Sequence, residues 1–294
     1  MLTEYAPAKL NLYLHVVGRR ADGYHLIDSV MVPVSLCDRL RVGYQGDAAR
    51  MVRVSISIRG AAAGVPHGPG NLVHRAASAF LSAAGLGGHV SIALHKAIPP
   101  ASGLGGGSSD AAAVLRALSE LCPRKLPAKR LATIAASVGA DVPFFLRCRA
   151  ARVSGIGEIV RPFRGKVPRW FVVAVPRRGV STAAAYRALA LTKSIGGSKL
   201  KRFRYGVSHP ANDLEKAVIP RRPDIGRLKG SLLEAGAQVA LMSGSGSAVF
   251  GVFASQRQAA AAAVRMPRRV RKFVVETFAR SPAPRRRAGR SPSW

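Results

Sequence analysis

Residues 99 to 113 read Pro99-Pro100-Ala101-Ser102-Gly103-Leu104-Gly105-Gly106-Gly107-Ser108-Ser109-Asp110-Ala111-Ala112-Ala113, so that glycines and small hydroxyls run straight into a helix-forming Ala/Leu segment. Gly103, Gly105, Gly106 and Gly107 permit a tight turn and bring backbone N–H groups close to an anion. The helix opening near Ser108 adds unpaired N–H donors and the positive end of its dipole. This is the pattern of a cradle for a nucleotide polyphosphate. It is not a Walker A loop, which ends Gly-Lys-Ser/Thr where this one ends Gly107-Ser108-Ser109, and a dinucleotide fingerprint would need its last glycine at Ser108. Upstream, His89 to Lys96 alternates Val90, Ile92 and Leu94 on one face, so strand, loop and helix follow in the order a phosphate site requires. A flexible glycine linker would not be set between a strand and an Ala-rich helix.

The chain has 294 residues and 48% hydrophobic content, enough for a substantial core and two domains. No apolar run approaches the ~20 residues that span a bilayer, and Met1 to Lys9 lacks the apolar centre of a signal peptide, so a cytoplasmic protein with no membrane partner is expected. Cys37, Cys122 and Cys148 are odd in number and widely spaced, which fits neither a disulfide framework nor a metal motif, and the seven histidines show no ligand spacing. Forty-six Lys and Arg against fourteen Asp and Glu give a formal net charge of +32. Such a field attracts phosphorylated substrates and, without specificity, RNA, DNA and anionic membranes. The charge gathers toward the end, at Arg268, Arg269, Arg271 and Lys272, then at Arg285, Arg286, Arg287 and Arg290 in a Pro/Ser-rich tail expected to be disordered over 281–294. No interleaved aromatic signature accompanies it, so nucleic-acid binding is expected to be at most non-specific, through the basic surface and tail.

The elements fit two α+β units. Residues 51 to 59 alternate apolar and polar as a half-buried strand, while Leu72–Ala84, Ser108–Leu121 and Ala128–Val138 read as helices, the last stopped by Gly139. A second unit follows, with strands at Trp170–Val175, Val239–Met242, Ala248–Phe253 and Lys272–Phe278. Its helices fall at Thr182–Leu191, Asp224–Ala235 and Gln256–Arg265. This alternation predicts a ferredoxin-like domain over 156–280, after an N-terminal domain over 1–155 that carries the glycine loop.

Three further clusters carry chemistry. Pro7-Ala8-Lys9-Leu10-Asn11-Leu12 places a cation and an amide on the same side of an otherwise apolar strand, where polar groups need partners. Arg20-Ala21-Asp22-Gly23-Tyr24-His25 is a turn followed by a stacking ring and an imidazole, equipment for holding a planar base. Gly139-Ala140-Asp141-Val142-Pro143-Phe144-Phe145 sets one carboxylate between a helix stop and an apolar segment. Taken singly, each has a plainer reading: Lys9 snorkelling at a strand edge, Tyr24 and His25 as loop surface, Asp141 as a helix cap.

Together with Ser243-Gly244-Ser245-Gly246-Ser247, these motifs stand in the order found in the GHMP superfamily of small-molecule kinases, which the chain resembles over roughly residues 4 to 278. The resemblance implies a two-domain α+β fold. Its N-terminal domain would be like domain 2 of ribosomal protein S5, its C-terminal domain ferredoxin-like, and ATP would meet the substrate between them. By position, Lys9 and Asp141 match the catalytic pair and Asn11 a residue beside the acceptor. Tyr24 and His25 match a cytosine-binding pair, and Thr182 and Tyr186 fall where the cytidine or diphosphate would lie. Asn71 and Lys96 match contacts to adenosine, while Pro99, Ala101, Ser102, Gly103, Leu104, Gly105, Gly106, Gly107, Ser108 and Ser109 match the nucleotide loop. The implied reaction transfers the γ-phosphate of ATP to the tertiary 2-hydroxyl of a methylerythritol unit carrying a cytidyl diphosphate, in isoprenoid precursor synthesis. Mg²⁺ is expected with ATP. Its protein ligands are unknown, Asp110 being either one of them or a helix-start residue. The base-binding turn favours a cytidyl substrate over the homoserine or mevalonate of other superfamily members. A basic nucleic-acid-binding protein is the alternative of another class, and it leaves the glycine loop and Asp141 without a task.

Overall fold

The computed structural model describes residues 1–47, 51–189 and 210–278. The chain opens on a long hairpin, β1 (Leu2–Arg19) and β2 (His25–Gly46), joined by the 20–24 turn. Then come β3 (Val52–Gly60), α1 (Leu72–Ala84), β4 (Gly88–Lys96), α2 (Gly106–Leu121), α3 (Ala128–Val138), α4 (Val142–Arg147), β5 (Ala151–Gly155) and β6 (Ile159–Pro162). The first sheet has the order β3-β4-β2-β5-β6, with β1 paired antiparallel to β2 along residues 25–42. β3 and β4 are parallel, and α1 makes the crossover between them.

Helix α2 lies at the centre of this half. Ala111, Ala112, Ala113 and Ala117 are fully buried, and side chains this small bring the helix axis close to the sheet. Around it pack Phe80 of α1, Leu40 and Val42 of β2, Ile92 and Leu94 of β4, and Phe144 and Phe145 of α4. This buried helix aims its N-terminus, and so the glycine loop, at the middle of β1, where Lys9 lies.

The second half contains β7 (Trp170–Val175), α5 (Thr182–Ala188), α6 (Glu215–Val218), a 3₁₀ turn (Ile219–Arg221), α7 (Pro223–Glu234), β8 (Val239–Met242), β9 (Val249–Phe253), α8 (Gln256–Arg265) and β10 (Arg271–Glu276). Its antiparallel sheet has the order β10-β7-β9-β8, the ferredoxin-like arrangement. One face packs on α7 and α8. From the other face Phe171, Val173 and Phe250 pack on Leu10, Leu12, Val30 and Val32 of the hairpin. The two halves therefore share a core, and the hairpin strand that carries Lys9 is buried between them.

Several details differ from the sequence expectation. α2 starts at Gly106, ahead of Ser108, because two glycines form its first turn. The segment after Asp141 is a short helix, α4, with Phe144 and Phe145 anchored beside α2. The first sheet runs on to Pro162. α5 is described to Ala188, while residues 190 and 191 of the expected helix and the basic tail lie outside the described residues. No helix among the described residues is long and apolar enough to cross a membrane.

Candidate active site

A cavity of about 1200 Å³ opens between the glycine loop, the β1 end of the hairpin and the start of α5. Its floor comes from β1. The two-residue period puts Lys9 and Asn11 on one side, and Lys9 Nζ donates to Asn11 Oδ1 at 2.5 Å. Asn11 Nδ2 donates to Ser29 Oγ at 2.8 Å, and Ser29 donates in turn to the Tyr13 carbonyl at 2.6 Å. The strand pairing slips between Asn11 and Tyr13, a local irregularity of the kind that re-aims side chains beside active sites.

Asp141 Oδ2 stands 3.8 Å from Lys9 Nζ, with the lysine buried and the aspartate 28% exposed. Burial lowers the Lys9 pKa from its ordinary value, while Asp141 pulls it back up. Asp141 precedes α4 but makes no side-chain cap hydrogen bond. The capping explanation for this residue therefore fails, and its carboxylate faces the cavity.

The loop is fixed by close approach. Gly103 (φ +79°) and Gly105 (φ +72°) are left-handed; a Cβ on Gly103 would run into the Ser243 carbonyl, and one on Gly105 would lie 2.9 Å from the Phe145 ring. The Lys9 amide donates to the Leu104 carbonyl at 2.9 Å, Val180 donates to the Ala101 carbonyl and Ala248 to the Ser102 carbonyl. Ser102 Oγ closes on the Pro99 carbonyl at 2.6 Å. Both halves of the molecule thus grip the loop. The Ser109 amide donates to the Gly105 carbonyl, which leaves the amides of Gly106, Gly107 and Ser108 as the open N-terminal donors of α2. Gly103, Gly105, Gly106, Gly107, Ser108, Pro99, Ala101 and Ser102 line the cavity; Leu104 and Ser109 are buried and do not.

Lys96 lines the cavity beneath the start of α2, but its ammonium is held by Asp38 Oδ2 at 2.5 Å and Asp110 Oδ2 at 2.7 Å. Asp38 Oδ1 accepts from the Ala97 and Ile98 amides at 2.6 and 2.8 Å. Burial works against the Lys96 charge, yet the two carboxylates outweigh it and raise its pKa. Burial, helped by Asp38, raises the Asp110 pKa well above the ordinary carboxylate range in spite of Lys96. Asn71 caps α1 through its Oδ1, which accepts from Val73 N at 3.0 Å, and Nδ2 donates to the Pro66 carbonyl. Both residues expected at the adenosine are therefore also structural ties. Asp110 Oδ1 is buried without a hydrogen-bond partner, and among the described residues no group of three His, Cys, Asp or Glu could hold a metal.

At the other end, Gly23 (φ +89°) shapes the turn, Arg20 pairs with Asp22 at 2.7 Å and Tyr24 is 61% exposed. The His25 ring stacks on Tyr186 of α5 at 5.0 Å and 29°. Burial and the nearby Arg19 lower the His25 pKa, while burial and the charge of Asp141 raise that of Tyr186. Thr182 Oγ1 and Ser245 Oγ are 2.9 Å apart, tying α5 to the 243–247 turn. Asn212 holds that turn through Nδ2, which donates to the Met242 and Gly244 carbonyls at 2.7 and 2.8 Å. Asn212 and Asp38 escape sequence reading because each is a single polar residue outside any motif. Their burial is their only mark.

Sequence models of the GHMP kinases N terminal domain and the GHMP kinases C terminal match residues 71–149 and 201–272, which defines the class as a two-domain, ATP-dependent phosphotransferase. A protein of Geobacter metallireducens, 4-diphosphocytidyl-2-C-methyl-D-erythritol kinase, is 44% identical over 89% of this chain and 92% of its own length; one of the same name from Deinococcus radiodurans is 42% identical over 88% and 87%. A crystal structure of 4-(cytidine 5'-diphospho)-2C-methyl-D-erythritol kinase superposes with a TM-score of 0.78 at 36% identity, covering 94% of this chain and 98% of that one. The chain belongs to the 4-diphosphocytidyl-2-C-methyl-D-erythritol kinase family. Homoserine kinase from Cytophaga hutchinsonii, at 20% identity and a TM-score of 0.72 over 97% of this chain and 96% of its own, shares the fold.

Proposed function

We propose that this chain transfers the γ-phosphate of ATP to the 2-hydroxyl of 4-diphosphocytidyl-2-C-methyl-D-erythritol, a step of non-mevalonate isoprenoid precursor synthesis. The observation that carries the reading is the uncapped Asp141 carboxylate, facing the cavity beside the buried Lys9 and close to the phosphate loop. A tertiary alcohol is a crowded nucleophile, so placement and proton removal matter. Asp141 takes the hydroxyl proton as the oxygen bonds to the γ-phosphorus. The bond from that phosphorus to the bridging oxygen breaks, and ADP leaves. Lys9 faces Asp141 and offsets charge on the transferring group, while Asn11 holds Lys9 and the acceptor.

The open amides of Gly106, Gly107 and Ser108 take the β- and γ-phosphates, with the Ser109 amide and Leu104 serving the loop from behind. Adenosine lies toward Asn71 and Lys96. Mg²⁺ enters as part of the ATP substrate, ligated by phosphate oxygens, and Asp110 is bound beneath the loop by Lys96. The cytosine lies against Tyr24, His25 and Tyr186, with Thr182 beside the diphosphate. Both substrates are charged and water-soluble, which suits a cytoplasmic setting.

The test is ADP release measured with this substrate, homoserine and mevalonate in parallel. Turnover confined to the cytidyl substrate is expected. Equal or faster turnover of homoserine or mevalonate would move the chain to another branch of the superfamily.

A further inference from the structure

Nearly every charge that lines the cavity is already matched. Lys9 faces Asp141, Lys96 holds Asp38 and Asp110, and Asp22 pairs with Arg20. Arg19 and Arg187 also line the cavity, and among the described residues neither has a carboxylate within ion-pair distance. Arg19 closes β1. Its Nε donates to the Gly23 carbonyl at 3.3 Å, and its Nη2 lies 3.6 Å from the place a Cβ would take on Gly23, so the guanidinium is folded over the 20–24 turn. Its charge reaches the His25 ring and helps to lower that pKa. Arg187 stands in the last turn of α5, next to the Tyr186 that stacks on His25. One unmatched guanidinium thus comes from each half of the molecule, near the same pair of stacked rings. Two like charges on exposed side chains repel, and an anion between them would remove that cost.

We infer that Arg19 and Arg187 form a clamp for the diphosphate of the cytidyl substrate. The inference rests on the reading of the Tyr24–His25 end as the cytosine site. ATP brings its own phosphates to the open amides of α2, while Lys9 and Lys96 are committed elsewhere. A second polyphosphate in the same cavity therefore needs its own cations, and the planar fork of guanidinium suits phosphate oxygens. The clamp would make the enzyme select a nucleoside diphosphate over a monophosphate, and bridging from both halves would draw the cavity together on substrate.

The experiment measures binding of cytidine, CMP and CDP by calorimetry, with a non-hydrolysable ATP analogue bound, to the wild type and to Arg19→Gln, Arg187→Gln and the double variant. In the wild type, affinity is expected to rise with each phosphate. In the double variant CDP should weaken by about tenfold or more and cytidine by less than about twofold. The KM for the cytidyl substrate should rise in parallel, that for ATP should stay constant, and Arg→Lys at either site should recover part of the loss. An unchanged ladder, an equal loss for cytidine, or a rise in KM for ATP instead would each overturn the clamp. Failure of the wild type to bind any member of the series would overturn the cytosine site itself.

Discussion

Lys9 is an ammonium sunk in the interface of two half-molecules, and among the described residues its only ion-pair partner is the partly exposed Asp141. Without Asp141 the lysine is a bare buried cation. Asp141→Asn keeps the shape and removes the proton acceptor, so kcat should fall by about 10²–10⁴-fold with ATP binding retained. Steady-state kinetics and nucleotide titration check this, and near-normal turnover would remove Asp141 as the base. The Lys9 pKa lies below its ordinary 10.5, chiefly through burial. Since the role proposed for Lys9 is that of a cation, activity should decline as pH rises through that lowered value, giving a basic limb to the kcat profile below 10.5. Asp141 is the group that raises the Lys9 pKa, so the residual activity of Asp141→Asn should show its basic limb at lower pH than the wild type. A limb that stays in place would mean that another group sets it.

Three elements meet at Lys96: the end of β4, to which it belongs, β2 through Asp38, and α2 through Asp110. Lys96→Met would leave two carboxylates buried without their cation, at a cost of about 3–5 kcal/mol in unfolding free energy. Adding Asp38→Asn should recover part of it. The KM for ATP should also rise, because the start of α2 carries the open amides proposed to take the phosphates. Denaturant unfolding separates the two roles, since a pure adenosine contact would raise KM and leave stability untouched. The same region shows which elements a sequence reveals. Helices 72–84 and 128–138 and strands 170–175 and 239–242 were legible from periodicity and caps, and they stand where expected. The full hairpin was not, because residues 6–14 of β1 are buried on both faces and the alternation that marks a strand disappears. Helix α4 was hidden by its length, and the start of α2 by the glycines that make its first turn. At the site, period two brought Lys9 and Asn11 together. The Lys9–Asp141 contact and the tie from Asp38 to Lys96 depend on tertiary packing that no local pattern encodes.

On the scale of the whole molecule, the shared core of the two halves and the +32 charge act on different things. The core fixes the cavity, whereas the charge governs how the protein meets polyanions in general. Residues 281–294 lie outside the described residues, but their sequence holds Arg285, Arg286, Arg287 and Arg290 with no acidic residue, among Pro282, Pro284 and Pro292. Described residues already supply the loop and the proposed base, cytosine end and clamp. Deleting 281–294 should therefore leave kcat and thermal stability unchanged while removing four positive charges. If those arginines neutralise phosphates on a bound single strand, the slope of log K against log salt should flatten by about 0.7 for each, or roughly three in all. Anisotropy titrations of a labelled oligouridylate between low and physiological salt measure that slope, with ADP release and thermal melts run on the same variant. A loss of turnover at physiological salt would place the tail at the cavity, where its arginines would compete with the diphosphate site or add to it, and the KM for the cytidyl substrate would tell which.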